Sequence, residues 1–172
     1  RAEIAVTPAA PDNLYAVYAE ATSNGLYGIY VSTDAGVSFT LKCCGGSVGG
    51  SYSNTNLNIL GYSPVGTTAG GQLNYQQSLY VSPTDANTLF SGGVRLWKST
   101  DMGVNWTVVA NTYHADNHGL FINNSGHIYT ATDGGVHVST DGGVVFNSLT
   151  DGIYGTEFIG DFGFSRKSSE VM

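Results

Sequence analysis

Charge is scarce in this chain: Asp, Glu, Lys and Arg together make up 11% of its 172 residues. Only six are Lys or Arg, and they are scattered. Nucleic acid demands clustered positive charge, so it is not an expected partner. No run of about 20 apolar residues exists, so no helical membrane insertion is expected. No window of about 10–15 residues combines a helical period with start and stop signals. No signal peptide is visible. The first residue is Arg1, not Met, so a processed chain or a fragment is expected. Cysteine is nearly absent too: Cys43 and Cys44 are adjacent and are the only two. That excludes a zinc signature, whose paired ligands are normally separated by two or more residues. A vicinal disulfide in an oxidising compartment and two free thiols in a Gly-rich loop both fit.

What is abundant is glycine, at 24 residues, and tyrosine, at 11. Val, Ile, Thr, Tyr and Phe favour strands, and Gly supplies turns. The composition therefore predicts an all-β chain. The formal net charge of -7 adds no basic patch to that picture.

Internal similarity carries more than composition. "VSTDAGVSFT" at 31–40, "KSTDMGVNWT" at 98–107 and "VSTDGGVVFN" at 138–147 share the pattern Ser-Thr-Asp-x-Gly-Val-x-aromatic. The shared positions are Ser32, Asp34, Gly36 and Phe39; Ser99, Asp101, Gly103 and Trp106; Ser139, Asp141, Gly143 and Phe146. An Asp-x-Gly between β-rich runs predicts a hairpin turn. The carboxylate can accept from the turn's own N–H groups. Gly takes positive φ without steric cost. The aromatic is expected to start the returning strand and pack under the turn. These residues read as structural staples, not catalytic groups. Upstream of each turn, two further short strands recur, so each unit is four short antiparallel strands in about 40 residues, the pattern of a propeller blade.

These segments resemble Asp-box, or BNR, repeats. The chain is similar to secreted bacterial Asp-box propellers of the sialidase, sortilin and xyloglucanase type. Segments such as "GGQLNYQQSLYVSPTDANTLFSGGVRLWKSTDMGVNWT", "YHADNHGLFIN" and "TDGGVHVSTDGG" carry the likeness, which covers residues 1 to about 160. It implies a β-propeller and an extracellular or cell-surface setting in a bacterium. Blades are expected at about 2–42, 73–111 and 114–150, with the start of another at 153–164. A ring of six to eight blades at about 40–45 residues each needs at least about 240 residues. A partial propeller is therefore expected, completed by blades from a longer parent chain or a partner chain. Residues 43–72, rich in Gly, Ser and Asn, form an inter-blade insertion. It reads either as a lid or recognition loop or as a solvated insertion.

"TYHADNHGL", at 112–120, is the best candidate for chemistry. Repeat alignment places His118 over Gln77 and Asp116 over Tyr75, at an inner-strand entrance beside the central channel. If extended, the stretch presents His114, Asp116 and His118 on one face. Asp133, in "ATDGG", lies at a strand end of the same blade. Three readings stay open: a hydrogen-bonded polar cluster, a ligand site for a glycan or protein, or a metal site. Two His and one Asp suit zinc, but alternate strand positions spread the three over about 13 Å. A single ion would need a bend. No cofactor is otherwise expected. His127 and His137 are expected at edges or on the surface, His137 standing where Tyr30 and Trp97 stand in the other units.

Two function classes follow. One is a binding or structural module for glycans or proteins. The other is part of a secreted glycoside hydrolase, which would use two carboxyl groups across the scissile bond. Outside the turns Asp116, Asp133, Glu157 and Asp161 are the available carboxyls, and the sequence does not pair them. A sialidase needs an arginine cluster for its substrate carboxylate; only Arg1, Arg95 and Arg166 exist, and the Arg-Ile-Pro motif is absent.

Overall fold

The computed structural model describes residues 1–44, 52–72, 77–109 and 114–151. Every regular element among them is a strand, and the twelve strands form three four-stranded antiparallel sheets. Sheet 1 holds β1 (Ala2–Thr7), β2 (Ala10–Ala19), β3 (Leu26–Ser32) and β4 (Thr40–Cys43). Sheet 2 holds β5 (Ser78–Val81), β6 (Leu89–Gly92), β7 (Leu96–Ser99) and β8 (Thr107–Val108). Sheet 3 holds β9 (Asn117–Ile122), β10 (Ile128–Thr132), β11 (Gly135–Ser139) and β12 (Asn147–Ser148). Strand order within each sheet follows chain order. The expected next strand at 153–164 lies outside the described residues.

The sheets stack on their faces in sequence. Register puts Leu79, Ser91 and Trp97 on one face of sheet 2 and Tyr80, Phe90 and Leu96 on the other. Leu79, Val81, Leu89 and Trp97 join Tyr15, Val17, Ile29 and Val31 of sheet 1 in one core. Phe90 and Leu96 join Leu120, Ile122 and Ile128 of sheet 3 in a second. Each buried Leu, Ile, Val or Phe contributes about 1.5–3 kcal/mol. Covered on both faces, β6 is buried at every position. Side chain to backbone bonds cross both junctions: Thr7 and Tyr15 donate to the Ser82 and Ala86 carbonyls, and Tyr80 donates to that of Ile122.

The three Ser-Thr-Asp-x-Gly turns share one geometry. The Ser32, Ser99 and Ser139 hydroxyls donate to the carboxylates of Asp34, Asp101 and Asp141 at 2.7–2.8 Å. Each Ser oxygen accepts the N–H of the turn glycine at 2.9 Å. Each Asp then accepts the N–H four residues on, from Ser38, Asn105 or Val145. Two successive residues take positive φ, among them Ala35 (56°) and Met102 (58°) before their glycines. The turn is also wedged against the preceding sheet. A Cβ on Gly103 would sit 3.2 Å from Ile29 of sheet 1, and one on Gly143 3.2 Å from Val109, just past the end of sheet 2.

One expectation needs correction. Trp106 and Phe146 are buried beneath their turns, but Phe39 is 45% exposed. The aromatic is covered by the sheet that precedes its own, and no described sheet precedes sheet 1. The insertion is anchored in part of its described stretch, 52–72, while residues 53–55 and 67–69 stay exposed. Ile59 and Leu60 are buried in the first core, and Asn58 is fully buried. The Asn58 carboxamide oxygen accepts from Leu26 N at 2.9 Å, and its nitrogen donates to the carbonyls of Thr68 and Gly70. Buried apolar side chains and one fully used amide hold this segment down.

Candidate functional site

The inner strands β1, β5 and β9 lie side by side. A cavity of about 450 Å³ opens along them, lined by Arg1, Glu3, Gln77, Ser78 and His118 among others. Gln77 immediately precedes β5, and His118 is the second residue of β9, so the repeat brings both to the same height on the wall. The Gln77 amide nitrogen donates to the Val17 carbonyl at 3.3 Å. Among the described residues its oxygen, which is buried, has no hydrogen-bond partner, and neither does the hydroxyl of Ser78. A buried amide oxygen without a donor is a costly arrangement that a ligand or water would relieve. Arg1 and Glu3 pair at 3.1 Å on the same wall.

His118 Nε2 meets Asp133 Oδ1 at 2.5 Å. The imidazole is 2% exposed and the carboxylate 31%, so the pair has a buried end and a wet end. Asp133 sits in the tight turn between β10 and β11, placed by Thr132, whose hydroxyl accepts from Gly134 N and donates to the Gly135 carbonyl. His114 packs over this turn so closely that any side chain at Gly134 would collide with it. His114 itself is exposed.

Residues 114–116 are not strand, and this corrects the extended reading of "HADNH". Asp116 takes φ 65° and its N–H donates to the Val94 carbonyl at 3.1 Å, so the chain bends just before β9 begins. Alternation therefore does not align His114 and Asp116 with His118. Among the described residues no group of three His, Cys, Asp or Glu comes together as a metal site requires. His118 and Asp133 do come together, with Gln77 on the adjoining wall. Tyr75 lies outside the described residues.

His137, expected at an edge or on the surface, is buried. It faces the second core in the place of Trp97 and Tyr30. Burial, and secondarily the charge of His114, pushes its pKa below the usual imidazole value. Asn117 was not among the candidates, yet it anchors the site. Its N–H and side-chain amide both donate to the Gly93 carbonyl, and its oxygen accepts from Thr130. An Asn flanked by two candidate residues, Asp116 and His118, was the only hint. Cys43 and Cys44 are joined by a disulfide.

No protein-family model matches the chain. No curated protein matches it either. Solved structures do. The GH74 enzyme of Niastella koreensis superposes with a TM-score of 0.57 at 25% identity, over 85% of this chain and 22% of that one. The GH74 xyloglucanase from Xanthomonas campestris gives 0.55 at 20%, over 85% and 23%. YCF48 from Cyanidioschyzon merolae gives 0.52 at 14%, over 85% and 38%. These are β-propeller proteins. This chain has the fold of a partial β-propeller. It spans less than a quarter of the GH74 structures it matches.

Proposed function

We propose that this chain is a segment of an extracellular Asp-box propeller that binds a glycan at the channel end of its inner strands. The carrying observation is Gln77, whose buried oxygen has no donor among the described residues, beside the His118–Asp133 pair. Sugar hydroxyls supply such donors, and a carboxylate and imidazole held in one orientation suit directional polar recognition. The likeness to GH74 enzymes at up to 25% identity supports a carbohydrate over a peptide. Further blades, from a longer parent chain or a partner, complete the channel wall. Calorimetry against neutral β-glucan oligosaccharides, xyloglucan fragments included, tests this reading. Gln77→Ala and His118→Gln should each weaken binding at least tenfold. Absence of binding across the panel, or binding indifferent to both substitutions, would remove it.

A second reading is favoured by the GH74 neighbours alone. The chain would then be part of a secreted glycoside hydrolase, with Asp116 or Asp133 as one of two carboxyl groups. Glu157 and Asp161, the other carboxyls considered, lie outside the described residues. Release of reducing ends from xyloglucan, lost in Asp133→Asn, supports hydrolysis; binding without release supports the first reading.

A further inference from the structure

A second cleft, sharing no lining residue with the channel cavity, lies beside the Cys43–Cys44 disulfide. We propose that it is a subsite for one neutral sugar ring. Cys43 ends β4 opposite Ile29, and Cys44 follows with φ 64°. Bridging adjacent residues closes a small covalent ring, so the two sulfurs form a rigid, polarisable, apolar floor. Leu57 from the insertion and Val104 and Trp106 from the sheet 2 turn complete the apolar lining. The indole cannot swing, because its Nε1–H donates to the Gly103 carbonyl at 2.9 Å.

The rim is polar and equally fixed. Asn54 and Thr55 stand on a tight turn closed by backbone bonds in both directions between Ser53 and Asn56, at 2.8 and 3.1 Å. Asn105 is the third polar residue of the lining. Its amide nitrogen donates to Asp101 at 2.7 Å and its backbone N–H to the same carboxylate at 2.9 Å. That clamp leaves the Asn105 carboxamide oxygen as an oriented acceptor.

Three features define the ligand. The cleft holds about 230 Å³, below the roughly 300–1,000 Å³ of drug-sized sites, so it takes one ring. No side chain lining it is charged, so an ionic ligand would be desolvated without a partner. An apolar floor with amide and hydroxyl groups around the rim matches a pyranose, which has an apolar face and equatorial hydroxyls. A wall already immobilised by a disulfide, a turn clamp and an indole bond loses little freedom on binding.

Titration of ¹⁵N-labelled protein with methyl glucoside tests the assignment by NMR. The Trp106 indole and Asn105 amide signals should move in a saturable way. Asn54→Asp with Thr55→Val should weaken that response at least fivefold; both residues are exposed and outside the cores, and signal dispersion checks the fold. Opening the disulfide with a thiol reductant should weaken it likewise. Movement confined to Gln77 and His118 would mean that only the channel binds sugar, and would overturn the subsite while leaving the channel reading intact. Equal affinity in the double variant, or for methyl glucuronide, would also overturn it.

Discussion

Val6 and Val81 are the same residue at the same place in successive sheets, yet Val6 is 63% exposed and Val81 2%. The difference is the neighbour. Sheet 1 covers Val81, while the face of sheet 1 that bears Val6 has no described sheet against it. Ile4 and Leu79 repeat the contrast at 62% and 9%.

Substitution at the two valines should therefore diverge. Val81→Asp places an unpaired charge in a closed core and should destabilise by about 3–5 kcal/mol. Val6→Asp in the same chain should stay within about 0.5 kcal/mol. Chemical denaturation of the 172-residue chain reads both. Equal losses would mean that the Val6 face is covered in solution.

The same logic sorts the turn aromatics. Trp106→Ala empties a buried site and should cost about 3–5 kcal/mol. Phe39→Ala should cost less than about 1 kcal/mol, since nearly half of that ring faces water. If Phe39→Ala proves as damaging as Trp106→Ala, the aromatic acts through its own turn and the preceding sheet is irrelevant.

Asn58 should behave as a core residue despite its polarity. Asn58→Ala strips partners from Leu26 N and from the carbonyls of Thr68 and Gly70. One buried group left unsatisfied costs about 1–3 kcal/mol, so a loss of at least about 2 kcal/mol is expected. Hydrogen exchange at Leu26 should accelerate in step. Unchanged protection there would show that the insertion does not depend on this amide.

Acid should unfold the chain through its turns. The Ser38 hydroxyl and N–H, with Ser32, lower the Asp34 pKa to about 2. The Thr22 and Ser23 N–H groups lower that of Glu20 to about 2. At Asp101 burial pushes up but is outweighed by the N–H and amide of Asn105, and Asp141 is lowered by Val145 N–H and the Ser139 hydroxyl. Folded values below unfolded values of about 3.9 and 4.3 mean the unfolded chain binds protons first. The stabilisation is full above those values and disappears as pH falls towards about 2. Stability measured from pH 6 to pH 2 should drop most below about pH 4, and Asp34→Asn should flatten the curve. A flat wild-type profile would contradict this.

The turns were readable because their signal is local: Ser, Asp and Gly and the N–H two residues beyond the Gly carry the shared hydrogen bonds. Strand positions were readable because apolar residues recur in register across three units. The burial of Ile59 and Leu60 was not, since their segment has no periodicity and the key partner, Leu26, lies more than thirty residues away. The left-handed backbone of Asp116 was hidden for a related reason, being fixed by the Val94 carbonyl of another sheet. At the site, repeat alignment led to Gln77 and His118 and placed Asp133 in the same blade. Their meeting depends on the β10–β11 turn, which only the folded sheet brings beside β9.

His118 and Asp133 should be energetically coupled, not merely close. The imidazole end is almost fully enclosed, so removing either partner leaves the other poorly compensated. His118→Gln and Asp133→Asn should each destabilise the fold, and the double variant should lose less than their sum, with a coupling of about 0.5–3 kcal/mol. Because the histidine end is shielded from solvent, the coupling should change little between low and moderate salt, unlike a surface pair. Denaturation of all four proteins at two ionic strengths measures it. Additive losses would reduce the pair to proximity and weaken its claim to orient a ligand.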